Sequence, residues 1–184
     1  MKINSLSLIS FVSVLTCASV ANASVLADFY VGGMAGIGGQ TVFNDGKHTT
    51  QSAQVFGAVA GMDLPIFRIE GEYDYFNSSD LKTNAGMLNL YAKIPTPLIM
   101  PYIGGGAGVV FGGHNTVNSV EYKVDTSAAY QAMLGATIDI LKMPLKFDIE
   151  GRALYAPHIY QNTATNTKSD LLEYNVRAKV RFIF

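Results

Sequence analysis

The last fourteen residues, Leu171 to Phe184 (LLEYNVRAKVRFIF), constrain the fold more tightly than any other stretch. Tyr174, Val176, Ala178, Val180, Phe182 and Phe184 recur at every second position, and Asn175, Arg177, Lys179 and Arg181 fill the places between. A period of two sends alternate side chains to opposite faces of a strand, whereas a helical period would mix the two sets. In a soluble protein the apolar face would be buried and the basic face wet. In a membrane-spanning barrel the apolar face would meet lipid and the basic face the interior.

The rest of the chain repeats the pattern. Eight candidate strands of roughly the ten-residue length that a spanning β-strand needs lie at Asp28–Gly39, Gln54–Leu64, Phe67–Asn77, Ala85–Ile94, Tyr102–Gly112, Ser127–Leu141, Leu145–Pro157 and Leu171–Phe184. On the third, Phe67, Ile69, Gly71, Tyr73 and Tyr75 oppose Arg68, Glu70, Glu72 and Asp74; on the seventh, Phe147, Ile149, Gly151, Ala153 and Tyr155 oppose Lys146, Asp148, Glu150 and Arg152. The fourth sets Leu88, Leu90, Ala92 and Ile94 against Asn89, Tyr91 and Lys93, and the sixth sets its apolar side chains against Gln131, Thr137 and Asp139. Every charge shares one face. A cation on a lipid-facing position near the bilayer midplane would cost about 2–4 kcal/mol, so the segregation has a physical cause.

The connections alternate as well. Leu64 to Ile66, Thr96 to Pro101 and Lys142 to Pro144 are short and marked by proline, while Gln40 to Gln51, Ser78 to Asn84, Gly113 to Thr126 and His158 to Asp170 are longer and polar. Short turns at one rim and longer loops at the other are the pattern of an outer-membrane barrel, and an even strand number places both termini at the turn rim. The aromatic residues sort by height: Phe29, Phe67, Phe147 and Phe184 at the turn end, Tyr75, Phe111, Tyr130, Tyr155 and Tyr174 at the loop end. A sandwich core would explain the alternation but neither the two aromatic belts nor the terminal phenylalanine.

Composition narrows the class further. The 184 residues are 49% hydrophobic and 15% charged, with a net charge of −1, which points away from nucleic acid as a partner. The longest uncharged stretch, Ile94 to Ser119, holds Pro95, Pro97, Pro101 and the run Gly104-Gly105-Gly106, residues that break a helix. Residues 1–23 read as a secretory signal: Lys2, an apolar Leu6 to Leu15, and Ala21-Asn22-Ala23 as the cleavage site, leaving residues 24–184 as the barrel. A lipoprotein signal through Cys17 lacks the small residue wanted before the cysteine. Since Cys17 is the only cysteine, the mature chain is expected to carry no disulfide and no thiol chemistry.

Three sets of residues invite a functional reading. Arg68, Lys93, Lys146, Arg152, Arg177, Lys179 and Arg181 would share the lumen with Glu70, Glu72, Asp74, Asp139, Asp148 and Glu150, seven cations against six carboxylates. Near balance favours mutual pairing that plugs the barrel, because isolated buried charges are costly; the competing reading is an ion or proton path. Gly32, Gly36 and Gly38, with Gly104, Gly106 and Gly108, would leave room for those long side chains. Neither glycine run has the G-x-G-x-x-G spacing of a nucleotide site, so no cofactor is expected. His48, His114 and His158 lie in or beside the loops without a local catalytic spacing, so neither metal nor catalysis is expected of them.

The Phe-terminated strand YNVRAKVRFIF, the segment Pro101 to Gly108 after a proline turn, and the opening Phe29-Tyr30-Val31-Gly32-Gly33 resemble the eight-stranded Gram-negative outer-membrane barrels of the OmpA transmembrane-domain and opacity-protein type. The resemblance implies an all-β, antiparallel, up-and-down transmembrane barrel of eight strands in the outer membrane. It implies an assembly signal in Tyr174, Val180, Phe182 and Phe184, read by the barrel-assembly machinery, and a monomer among outer-membrane lipid and lipopolysaccharide. It further implies adhesion, host or surface binding at the loops, or an envelope-structural role. With no peptidoglycan-binding segment after Phe184, wall anchoring is not expected. A narrow pore and a lipid-modifying enzyme are the alternatives. A periplasmic barrel of lipocalin type, with Val176, Val180 and Phe182 inside, is the structural rival.

Overall fold

In the computed structural model the chain is a closed antiparallel barrel. The structure describes residues 27–44, 47–78, 82–111, 114–117, 120–123, 126–140, 143–161 and 168–184, with side chains for 27–41, 50–78, 82–111, 126–140, 143–157 and 170–184. Residues 1–26, including the proposed signal segment, lie outside them. The strands are β1 (Asp28–Asn44), β2 (Lys47–Asp63), β3 (Phe67–Ser78), β4 (Lys82–Lys93), β5 (Ile99–Phe111), β6 (His114–Val117), β7 (Val120–Lys123), β8 (Ser127–Asp139), β9 (Leu145–Gln161) and β10 (Lys168–Ile183). Eight of them form the wall in the order β1-β2-β3-β4-β5-β8-β9-β10, and β10 returns to pair with β1. Closure leaves no open edge, the condition for a sheet to sit in lipid.

The faces divide as the alternation requires. Along β3, inward Arg68, Glu70, Glu72, Asp74 and Phe76 are buried, and the residues between them point out. The outer wall is apolar: Ile37 is 71% exposed, Leu134 66% and Leu88 64%. An uncovered apolar wall is unfavourable in water by about 25 cal/mol for each Å², and it is the natural surface toward acyl chains. Val176, Val180 and Phe182 point outward and Arg177, Lys179 and Arg181 inward, so the inside-out arrangement of the lipocalin-type rival is not the one adopted.

Four tyrosines fit against glycines directly across a strand pair. Tyr30 lies over Gly61, Tyr91 over Gly104 and Tyr102 over Gly135 inside the barrel, and Tyr174 over Gly39 outside. A Cβ at any of these glycines would meet the ring, so the missing side chain is what lets the aromatic lie flat on the neighbouring strand.

Strand limits differ from the sequence expectation mainly at the loop rim. β1 and β2 run to Asn44 and from Lys47, through much of the expected Gln40–Gln51 loop, and Thr41 and Thr50 share a hydroxyl hydrogen bond of 3.0 Å. β9 reaches Gln161, β10 begins at Lys168, and the Gly113–Thr126 connection contains the β6–β7 hairpin. Ladder pairing is indifferent to whether the side chains face water or lipid, so it continues where the apolar alternation has stopped. At the turn rim β5 begins at Ile99, placing Pro101 within the strand rather than in a turn; its carbonyl accepts the Ile94 N–H at 3.0 Å.

Candidate functional site in the barrel lumen

Inward positions of β2, β3, β4, β8, β9 and β10 bring the charged side chains into one column. Nearest the turn rim, Asp63 receives Lys93, Lys146 at 3.4 Å and Arg181 at 3.1 Å. Asp148 receives Arg181 in bidentate fashion at 2.7 and 2.9 Å, Arg68 at 3.3 Å and the Thr137 hydroxyl. Arg68 lies against two rings, 3.9 Å from the Tyr91 centroid and 4.6 Å from that of Tyr102. Asp139 sits at the margin, 3.8 Å from Lys146 and partly exposed.

Glu70 and Glu150 form the middle of the column. Glu70 accepts from Tyr30 at 2.7 Å, Tyr91 at 2.9 Å and Lys179 at 2.8 Å. Glu150 accepts from Tyr102 at 3.0 Å and from Arg177 Nε at 2.6 Å, with Lys179 3.4 Å away. Arg177 also grips Glu72 through both terminal nitrogens, at 2.7 and 2.9 Å, and Asn89 donates to the same carboxylate at 2.9 Å. Further toward the loops, Arg152 joins Asp74, Glu72 and Glu173, the last two at 3.1 Å, and Asn175 donates to Glu173 at 2.7 Å. Charge-assisted, partly bidentate contacts of this kind hold their geometry better than single neutral ones.

Loop-ward of Arg152, apolar side chains predominate beside the buried Glu173. Val55, Phe76, Met87, Val110, Leu154 and Leu171 pack together, all at least nine-tenths buried. The side chains of Arg68, Glu70, Glu72, Asp74, Asp148, Glu150, Arg152, Arg177, Lys179 and Arg181 have no exposed surface. Among the described residues the lumen therefore holds a column of paired charges below a cluster of apolar side chains. Among the described residues no group of three or more His, Cys, Asp or Glu side chains is arranged to hold a metal. His48, His114 and His158 fall in β2, β6 and β9, and their side chains lie outside the described ones.

All thirteen charged residues singled out from the sequence lie on inward positions. Tyr174, Val180, Phe182 and Phe184 are exposed on the outer wall, and the Phe184 N–H donates to the Phe29 carbonyl at 3.0 Å. The column also uses residues that the sequence reading had not assigned to it. Asp63 closes β2, whose faces had not been divided, and Glu173 lies two residues before Asn175 on a face that had been recognised. Tyr30 and Tyr102 carried no charge to mark them, although parity with Gly32 and Gly104 places them inward.

Three solved structures share this architecture. Neisserial surface protein A (NspA) superposes with a TM-score of 0.59 at 16% identity, covering 84% of this chain and 97% of its own. The N-terminal β-barrel domain of Pseudomonas aeruginosa OprF gives 0.54 at 13% identity, over 84% of this chain and 97% of that one. Ail, the attachment invasion locus protein of Yersinia pestis, solved in complex with the heparin analogue sucrose octasulfate, gives 0.50 at 12% identity, over 84% and 99%. No protein-family model matches the sequence, and no curated protein matches it.

Proposed function

We propose that this chain, with the fold of the small eight-stranded outer-membrane barrels, is a non-conducting outer-membrane mount that holds polar loops at the cell surface. Its activity then resides in those loops, as adhesion or another surface interaction, beside a structural role in the envelope. The observation that carries the reading is the lumen: ten paired charges with no exposed side-chain surface beneath a packed apolar layer. A small barrel fills its interior with side chains, and the burial of Arg177 and Leu154 supports a lumen without a continuous wet route. The reading includes no catalysis. It takes the barrel to be a monomer among outer-membrane lipid and lipopolysaccharide, inserted by the assembly machinery through its terminal aromatic strand. Ail, one of the barrels with this fold, is by its name an attachment protein, which favours loop-borne binding over transport.

Planar-bilayer recording tests the sealed lumen. Refolded protein is expected to give no reproducible current step above baseline, and discrete steps would establish the narrow pore instead. Cells displaying the intact barrel are expected to bind host-cell or glycan surfaces more than cells whose barrel carries shortened connections between β1 and β2 and between β9 and β10. Equal binding by both would remove the adhesive role.

A further inference from the structure

A groove crosses the outer wall along the hydrogen-bonding direction, and it changes character from one end to the other. Its lower wall is one register row of outward side chains: Leu134 on β8, Gly151 on β9, Val176 on β10 and Ile37 on β1. The same row continues through Gln54 on β2 and Asn77 on β3 to Lys82 at the start of β4. Ala132, Ala153, Tyr174 and Ser52 form the upper wall, and the backbone of the inward residues between the rows forms the floor. The groove encloses about 1550 Å³.

Two features give it direction. Strands in such a barrel tilt by about 35–45°, so a row perpendicular to them climbs as it circles the wall. This row starts at mid-wall on β8 and ends at the loop rim on β4. Spaced at about 4.8 Å per strand, its six steps run roughly 29 Å around the wall and, at that tilt, climb about 17–20 Å, on the order of one leaflet of a bilayer core. The lower part is apolar and open, because Gly151 in one wall and Ala153 and Ala132 in the other lack bulk. The upper part is polar, with Ser52, Gln54 and Asn77 leading to Lys82. Among the residues whose side chains are described, Lys82 is the only exposed lysine or arginine; every other one is turned into the lumen.

An apolar slot that ends in a hydroxyl, two amides and a single cation has the polarity of a phosphate-bearing lipid, read from tail to head. We infer that the groove holds a phosphorylated glycolipid of the loop-side leaflet, its acyl chain along Leu134, Gly151, Val176 and Ile37 and its phosphate at Lys82. An acyl chain displaced from bulk lipid gains no hydrophobic energy by moving onto an apolar wall, so selectivity must come from shape and from the headgroup contacts. A cation held at the interface beside an anionic headgroup supplies that selectivity. The inference rests on the outer-membrane placement proposed above.

Native mass spectrometry of the refolded protein tests it, with lipid A, phosphatidylglycerol and phosphatidylcholine offered as separate probes. Wild type is expected to retain one lipid A molecule at collision energies that strip phosphatidylcholine. Lys82→Gln should weaken that retention about tenfold. Gly151→Leu should abolish it by filling the slot, and the position has room, since a Cβ there would find its nearest neighbour, the Leu134 carbonyl, 3.8 Å away. Both variants should keep the boiled-against-unboiled gel shift of a folded barrel, which separates loss of the site from loss of the fold. Equal retention of lipid A by wild type and both variants would overturn the inference. Retention of phosphatidylglycerol as firmly as lipid A would overturn the assignment to a glycolipid. A barrel that shows no gel shift and fractionates as soluble would instead defeat the outer-membrane reading itself.

Discussion

Replacing Arg177 by methionine isolates the contribution of the lumen network to stability. Arg177 is 1% exposed and binds two carboxylates at once: Glu72 at 2.7 and 2.9 Å and Glu150 at 2.6 Å. Methionine keeps most of the volume and removes the charge, so the cost is electrostatic. Neither carboxylate is left bare. Glu72 retains Arg152 at 3.1 Å and Asn89 at 2.9 Å, and Glu150 retains Tyr102 at 3.0 Å with Lys179 at 3.4 Å. Removing one member of a buried pair costs about 3–5 kcal/mol, and these remaining partners place the expectation near the lower bound, about 3 kcal/mol. Adding Glu72→Gln removes one stranded charge, so the double variant should cost about 1–2 kcal/mol less than the sum of the singles. The internal control is Arg68→Met. Among the described residues Arg68 has one ion pair, to Asp148 at 3.3 Å, and its Nε and Nη2 have no hydrogen-bond partner there, while Asp148 keeps the bidentate Arg181. Its loss should cost under about 1.5 kcal/mol. The chain has no tryptophan, so the folded fraction is best followed by the unboiled gel band against urea in detergent micelles. If Arg177→Met lay within about 1 kcal/mol of wild type, or Arg68→Met proved the more damaging, pairing would not be what holds the lumen.

Three further outcomes follow from the wall, the glycines and the final strand. Leu88→Arg places a cation at an outward position that is 64% exposed; in lipid it should cost about 2–4 kcal/mol, and no change in the urea midpoint in phospholipid vesicles would place that face in water. Gly36→Val pushes a side chain into Arg177 Cβ at 2.7 Å and the Val176 carbonyl at 2.8 Å, whereas Gly71→Val on the outer wall meets only the Ala60 carbonyl at 3.7 Å. The first should cost about 1–3 kcal/mol or prevent folding, and the second should be neutral; equal midpoints would refute the packing argument. Phe184→Ala should reduce the amount of barrel in cell membranes while leaving refolding of the purified chain into micelles unchanged, and an equal fall in both would make Phe184 a structural residue rather than a signal.

Much of this architecture was legible because inward and outward positions alternate strictly through the middle of the wall. On β3 and β9, and on β10 from Glu173 onward, every charge with a described side chain has the inward parity, so the charged face could be read straight from the order of residues. Where that alternation ends, legibility ends with it. The extensions of β1, β2, β9 and β10 pair through backbone groups whose side chains follow no apolar rhythm, and the β6–β7 hairpin lies within a polar connection. Inside the lumen, parity fixed which residues point inward but not who meets whom. Lys179 reaches Glu70 and Arg177 reaches Glu72 across the barrel, more than 100 positions apart in sequence. The apolar layer of Val55, Phe76, Leu154 and Leu171 was hidden because inward apolar residues look the same as outward ones until strand register is known. Asp63 and Glu173 could have been found by extending the parity rule over β2 and two residues further along β10.

The last strand supplies more than a span. Arg177, Lys179 and Arg181 all lie on β10, while the carboxylates they grip lie on β2, β3 and β9. A chain that has inserted everything but β10 would present an unpaired sheet edge on β1 and β9, and would also leave Glu70, Glu72 and Glu150 without their main counter-charges. Both deficits are severe where no water can relieve them. In the membrane setting proposed above, insertion and closure are then expected to be coupled, with half-built intermediates scarce. Freeing β10 from the wall means breaking two ladders and separating three cations from carboxylates on three other strands, which ties closure of the barrel to this one strand.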